Sequence, residues 1–213
     1  MSYLEKKVLE EIQFYVTTKY ACGYINGQDA QSIVATPYKK INSKNFNNLI
    51  NKGFRRSGQY VYKPNCKNCS ACIPIRLLAK DFTPSKSQKR VRKYLNKLSV
   101  KVLPLAFDEE HYELYVQYQN KRHRNANEDE DDIADYNDFL IKSNVNSKII
   151  EFRLDNELKI VSIIDYVNDG ISAVYTFYDC NNNKLSLGTI SILWLLELCK
   201  RENLKFLYLG YWI

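Results

Sequence analysis

Histidine is nearly absent from this 213-residue chain, and long apolar runs are missing altogether. Only His111 and His123 occur, both in one central stretch, so no histidine stands near a cysteine to make a thiol nucleophile. No uncharged apolar run approaches the roughly 18 residues that a membrane span requires. The first eleven residues carry charges where a signal peptide would have its apolar stretch, so a soluble, cytoplasmic, monomeric protein away from membranes is expected. In a reducing cytosol the six cysteines are thiols or metal ligands rather than disulfides. No internal repeat is present. What remains is a globular composition, 45% hydrophobic and 26% charged with 17 tyrosines, enough for one large domain or two small ones.

The net charge of +7 is unevenly spread. Residues 39–101 hold 17 Lys or Arg against a single acid, Asp81, whereas residues 108–138 hold 11 acids against Lys121, Arg122 and Arg124. Basic residues interleaved with Phe54, Tyr60, Tyr62, Phe82 and Tyr94 have the composition of a nucleic-acid surface. The acidic run Glu128-Asp129-Glu130-Asp131-Asp132 reads as an exposed loop without chemistry, because consecutive carboxylates point in different directions.

The pattern predicts an α+β protein with a division near residue 100. Residues 1–100 form a Cys-containing basic domain, and residues 101–213 an acyltransferase-type sheet. In the first part a strand at 13–18 is expected, then a short helix over 43–52 with Ser43 as N-cap and Gly53 past its end. A strand at 60–62 follows, ended by Pro64. Ser85 and Gln88 fit a capping box for a helix to about residue 98, exposing Lys86, Lys89, Arg90, Arg92, Lys93 and Lys97. Residues 100–107 read as a linker or crossing strand. A helix over 108–124 begins with acids and ends with bases, as its dipole favours. Three β-rich runs, 148–154, 159–166 and 171–178, are separated by Asp155-Asn156 and Asn168-Asp169-Gly170, predicting an antiparallel meander. A helix over 188–201 and a strand over 206–211 complete a right-handed crossover, making the last strand parallel to its predecessor.

Several strings are more particular than composition explains. They are Gly53-Phe54-Arg55-Arg56-Ser57-Gly58, Tyr62-Lys63-Pro64-Asn65-Cys66, Cys69-Ser70-Ala71-Cys72-Ile73-Pro74-Ile75-Arg76, Phe82-Thr83-Pro84-Ser85, Ser186-Leu187-Gly188-Thr189 and Tyr208-Leu209-Gly210-Tyr211-Trp212. As a set they resemble the arginyl-tRNA protein transferase family, in its bacterial branch, the aspartate/glutamate leucyltransferases. The resemblance runs from about residue 13 to the end, and family members usually continue past Gly-Tyr-Trp-Ile. It implies a GNAT-like sheet that transfers leucine, or less expectedly arginine, from charged tRNA to the α-amine of proteins beginning with Asp or Glu, marking them for N-degron proteolysis.

Physical reasoning assigns candidates to that chemistry. Phosphates of the acceptor stem call for clustered cations, here Lys86, Lys89, Arg90, Arg92 and Lys93. An acidic N-terminal side chain calls for a guanidinium fork, with Arg55, Arg56 and Arg76 as candidates. The tRNA ester is already activated, so positioning suffices and no cofactor is needed for the chemistry. Asp165, Tyr175 and Tyr178 at strand positions could face the reacting groups, with core roles equally open to them. Backbone N–H groups near Gly188 could polarise the ester carbonyl. Cys66-x2-Cys69-x2-Cys72, with Cys22, could hold zinc or an iron-sulfur cluster; the alternative is reduced thiols packed as small hydrophobes. Two other functions compete: an acetyl-CoA-dependent GNAT N-acetyltransferase, disfavoured because residues 181–189 offer only Gly188 and Lys184 as a cradle, and a non-catalytic metal-bound RNA-binding module.

Overall fold

A computed structural model describes residues 12–123, 131–181 and 185–213. Its N-terminal layer is a four-stranded antiparallel sheet of order β1-β4-β6-β5, formed by β1 (Gln13–Val16), β4 (Ser32–Thr36), β5 (Arg55–Ser57) and β6 (Tyr60–Pro64). A two-stranded hairpin, β2 (Tyr20–Ala21) and β3 (Asp29–Ala30), stands beside it. Helix α1 (Ser43–Asn51) covers the sheet with Phe46, Leu49 and Ile50. Its N-cap is Asn42, whose side chain accepts from the Asn45 amide, and not Ser43. Ser43 Oγ accepts instead from the Asn146 amide, a tertiary contact that no local rule reveals. Gly53 takes φ +86 just past the helix, as expected.

The main sheet has six strands in the order β7-β12-β11-β10-β9-β8. They are β7 (Ile73–Leu78), β8 (Ser99–Pro104), β9 (Ser147–Leu154), β10 (Glu157–Val167), β11 (Gly170–Tyr178) and β12 (Phe206–Trp212). The meander β9-β10-β11 is antiparallel and β12 joins β11 in parallel, as the sequence predicts. Asp155 and Asn156 both adopt positive φ, the requirement of a type I′ hairpin turn. The expected division at residue 100 is not a boundary between sheets. It falls inside β8, and β7, which precedes it by more than twenty residues, pairs antiparallel with β12. Composition changes near residue 100, but backbone pairing is indifferent to it: the outer edge of β12 takes the apolar strand Ile73-Pro74-Ile75.

Alternation along the strands gives the sheet two apolar faces. On one, Ile150, Phe152, Ile160, Ile164, Ile171 and Leu207 meet α5 (Leu187–Arg201) and α2 (Lys86–Leu95). The Ser85–Gln88 capping box of α2 is formed, and its five basic residues are exposed, as is Lys97 just past its end. On the other, Ile149, Val161, Ile163 and Phe177 pack on α3 (Glu109–Arg122) and α4 (Ile133–Tyr136), while Val167, Phe206 and Tyr208 join the α1 core. Asp108 caps α3 through the His111 amide. Arg124, Glu128 to Glu130 and Lys184 lie outside the described residues; Asp132 of the acidic run forms a capping box with Asp135 at α4.

Candidate active site

Parallel strands β11 and β12 pair only over Gly170–Ser172 with Phe206–Tyr208. β11 continues to Tyr178, whereas β12, after a bulge before Gly210 (φ +88), follows β7. Among the described residues the two strands have no further pairing, so the sheet is open where β11 ends and α5 begins. A cleft of ≈ 410 Å³ lies at the end of β11, lined by Tyr178, Asp179, Cys180, Arg122 and the first turn of α5 with Gly188. The positive end of a 15-residue helix dipole therefore faces the cleft. A Cβ at Gly188 would stand 3.4 Å from the Tyr178 ring, so the helix start lies in van der Waals reach of that ring. The Arg122 guanidinium lies 5.7 Å from the Tyr178 ring centroid.

Leu185 and Ser186 form the far wall of this cleft and also border a second groove of ≈ 350 Å³. That groove has Arg90 and Lys93 of α2 and Lys97 just past its end at the rim, with Val91, Tyr94 and Ile190 beneath. The start of α5 is thus flanked by cations on both sides. Arg92 reaches Glu197 at 3.4 Å and ties α2 to α5, while Lys86 and Lys89 are exposed but line neither groove.

The three arginines expected at an acidic substrate have different situations. Arg56 is buried in a two-pronged ion pair with Asp165: Nε and Nη2 donate to its two carboxylate oxygens at 2.8 Å each. Ser147 Oγ donates to the same carboxylate at 2.5 Å, and Arg56 Nη1 donates to the Gly58 carbonyl at 2.7 Å. This corrects the expected substrate-binding role of Arg56 and catalytic role of Asp165, since each is the other's partner, sealed from any ligand. Arg55 is also buried, donating to the carbonyls of Phe54, Ile75 and Gly210 and lying against Tyr208 and Tyr211, with its Nε unpartnered. Burial lowers its pKa. Arg76 alone is exposed, stacked 3.8 Å from the Phe206 ring centroid, with Nη1 donating to Asn51 and Tyr208. Tyr208 in turn donates to Asp169, which places Arg76 toward the end of β11 remote from Tyr178.

Tyr175 is half-buried, its hydroxyl donating to Gln119 Oε1 at 3.3 Å and its ring 5.1 Å from Phe139; burial raises its pKa. Gln119 and Tyr115 open onto a cleft of ≈ 580 Å³ with Ser57, Tyr60, Asp131, Asp135 and Asp138. The β5–β6 turn reaches this place because Gly58, at φ +55, lies against the Asp138 carbonyl, which a Cβ would meet at 1.9 Å. The sequence offered no signal for Gln119, and Ser57 stood only as part of the string at 53–58.

Cys22, Cys66, Cys69 and Cys72 do converge, but on the wall of one ≈ 480 Å³ cavity together with Tyr20, Tyr24, Tyr62 and Tyr211. All are free thiols. Among the described residues no three of His, Cys, Asp or Glu come together to hold an ion. Cys22, Cys66, Cys69 and Cys72 are the residues that would hold zinc or an iron-sulfur cluster, whose tetrathiolate chemistry they suit; as they stand they share the wall of one cavity. No described helix is long and apolar enough to cross a membrane.

Sequence profiles decide the family. The one described as arginine-tRNA-protein transferase, N terminus, matches residues 20–90, and its C-terminus counterpart matches residues 110–213. The chain belongs to the arginine-tRNA-protein transferase family. Its relatives include the aspartate/glutamate leucyltransferase of Methylobacillus flagellatus, 51% identical over 96% of this chain and 83% of the relative. The enzyme of the same name from Chromobacterium violaceum is 46% identical over all of this chain and 88% of its own length. Among solved structures, L-PGS from Bacillus licheniformis aligns at a TM-score of 0.49 and 14% identity, covering 66% of this chain and 46% of that one.

Proposed function

We propose that this transferase moves a leucyl group from charged tRNA to the α-amine of proteins beginning with Asp or Glu. The observation that carries the reading is the parting of β11 and β12 beside the cation-flanked start of α5, in a chain 51% identical to an aspartate/glutamate leucyltransferase. Phosphates of the acceptor end lie along Arg90, Lys93 and Lys97 and meet the helix start, with Arg122 on the other side.

In the reaction the acceptor's neutral amine attacks the ester carbonyl. The C–N bond forms, the C–O bond to the terminal ribose breaks, and the proton lost by the amine is balanced by one gained by the ribose hydroxyl. An α-amine has a pKa of about 8, so a useful fraction is neutral without a strong base. Backbone N–H groups in the first turn of α5, at Gly188 and its neighbours, stabilise the oxyanion, with the Tyr178 ring beside that turn. None of the three arginines lines the cleft at Gly188: Arg76 is exposed but stands toward the Gly170 end of β11, and Arg55 holds β5 against β7 and β12. Transfer of labelled leucine from leucyl-tRNA to peptides beginning with Asp, Glu or Ala tests the reading. Labelling of the Asp and Glu peptides alone supports it; no labelling of any peptide, or equal labelling of all three, overturns it.

A further inference from the structure

We propose that the groove between α2 and the start of α5 is a base-stacking site, in which the Tyr94 ring receives one unpaired base of the ester-bearing RNA end. The proposal rests on the transferase reading above and deepens it: a contact to a base face is added to the phosphate contacts of the rim.

The groove is built by one stripe of side chains. Arg90, Lys93, Tyr94 and Lys97 follow one another at i, i+3, i+4 and i+7. Although α2 ends at Leu95, the Lys97 amide donates to the Tyr94 carbonyl at 3.0 Å, so the turn carries on and keeps Lys97 on the same side. Its ammonium lies 5.9 Å from the Tyr94 ring centroid. The ring is half-buried, packed together with Val91 against the core that includes Ile190, which holds it in place while part of it faces the groove. Leu185 and Ser186 form the opposite wall.

An apolar floor with an aromatic ring, a cationic rim and no carboxylate among the described lining residues suit a flat ring joined to phosphate. A purely aliphatic ligand would leave the three cations without a counterion. A bare phosphate would leave the floor uncovered. The volume of ≈ 350 Å³ is that of a small-ligand site, which takes a nucleotide and not a duplex. A base inside a stem is covered on both faces by its neighbours, so only an unpaired one can lie on a protein ring. Position agrees with this. Leu185 and Ser186 also line the cleft at Gly188, so an RNA end whose ester lies in that cleft reaches the groove across a shared wall.

The test uses the full chain and an acceptor-stem hairpin RNA carrying a fluorescent adenine analogue in its unpaired 3′ end. Binding to the parent should quench the analogue, and a hairpin whose 3′ end is paired into the stem should bind about tenfold more weakly. Tyr94→Leu, which keeps an apolar side chain against the core, should abolish the quenching and weaken binding of the unpaired end by about tenfold, whereas Tyr94→Phe should stay within about twofold of the parent. The salt dependence separates base from phosphate: Tyr94→Leu should leave the slope of log affinity against log salt unchanged, and Lys97→Gln should reduce it by about 0.7. Equal binding of paired and unpaired ends by the parent would overturn the proposal without any variant. Quenching that persists in Tyr94→Leu, or a slope that falls in it, would also overturn it. A parent that shows the Tyr94-dependent quenching but transfers no leucine from leucyl-tRNA would instead sink the reading of the function and leave the stacking site standing.

Discussion

At the Arg56–Asp165 contact both charges are buried and both carboxylate oxygens are hydrogen-bonded, whereas at the start of α5 the cations Arg90, Lys93 and Arg122 stand exposed without an ion pair among the described residues. The first region joins the N-terminal sheet to β10 and is complete in itself. The second is electrostatically incomplete until something anionic arrives. The same residue type therefore does opposite work, fastening in one place and recruiting in the other. Substitutions should separate the two: interface changes act on stability, and groove changes act on binding.

The largest effect is expected at the interface. Arg56→Ala leaves the Asp165 carboxylate buried without its partner, and breaking such a pair costs about 3–5 kcal/mol. Urea unfolding should show that loss. Joint replacement, Arg56→Met with Asp165→Leu, should recover much of it, because no charge is then stranded. If Arg56→Ala unfolds at the parent's midpoint, the pair is no fastening.

A related network on the far edge of the sheet sharpens the point through pH. Glu151 is buried beside His111 and Arg153, and the hydrogen bonds from Arg153, ahead of those from His111, hold its pKa down to about 2 against an ordinary 4.5. A depressed carboxylate contributes stability above its unfolded pKa and loses it as pH falls toward the folded value. The parent should therefore lose about 3 kcal/mol between about pH 5 and pH 2 through this group. Glu151→Gln should flatten that part of the stability curve. An unchanged acid limb in the variant would show that Glu151 does not report on the network.

Next comes the turn that carries the interface. Gly58→Ala places a Cβ 1.9 Å from the Asp138 carbonyl at a positive φ, so the β5–β6 turn must shift. A loss of about 1–3 kcal/mol is expected, since Ser57 and Tyr60 move with the turn. Stability equal to the parent would mean that the turn and the residues near Asp138 move apart at no cost.

How much of this was legible in the sequence follows from how local each cause is. The capping box of α2 depends on Ser85 and Gln88, three residues apart, and the meander on turns whose residues are adjacent, so both could be read. The parallel placement of β12 beside β11 follows from the strand–helix–strand order. By contrast, Arg56 and Asp165 are 109 residues apart, and an arginine that pairs inside the fold looks in sequence like one that meets a substrate. The pairing of β7 with β12 and the tertiary use of Ser43 are likewise long-range. Cysteine spacing correctly drew four thiols to one place, but spacing along a chain does not determine whether they meet at a point or line a cavity.

The smallest effect on stability, and the cleanest contrast with Arg56, is expected in the groove. Arg90 and Lys93 are exposed and make no ion pair among the described residues, so Arg90→Glu with Lys93→Glu should leave the unfolding midpoint within about 0.5 kcal/mol of the parent. Binding of leucyl-tRNA should weaken by about tenfold or more at physiological salt. Each lost phosphate contact should also reduce the slope of log affinity against log salt by about 0.7 to 0.9. The salt series carries more weight than a single affinity, because a general loss of net charge weakens binding but does not remove two contacts from the slope. If the slope is unchanged while the protein stays folded, the acceptor end does not run along α2. The cations beside α5 would then be an ordinary solvated face, and Arg122 on the other wall would become the residue to reverse.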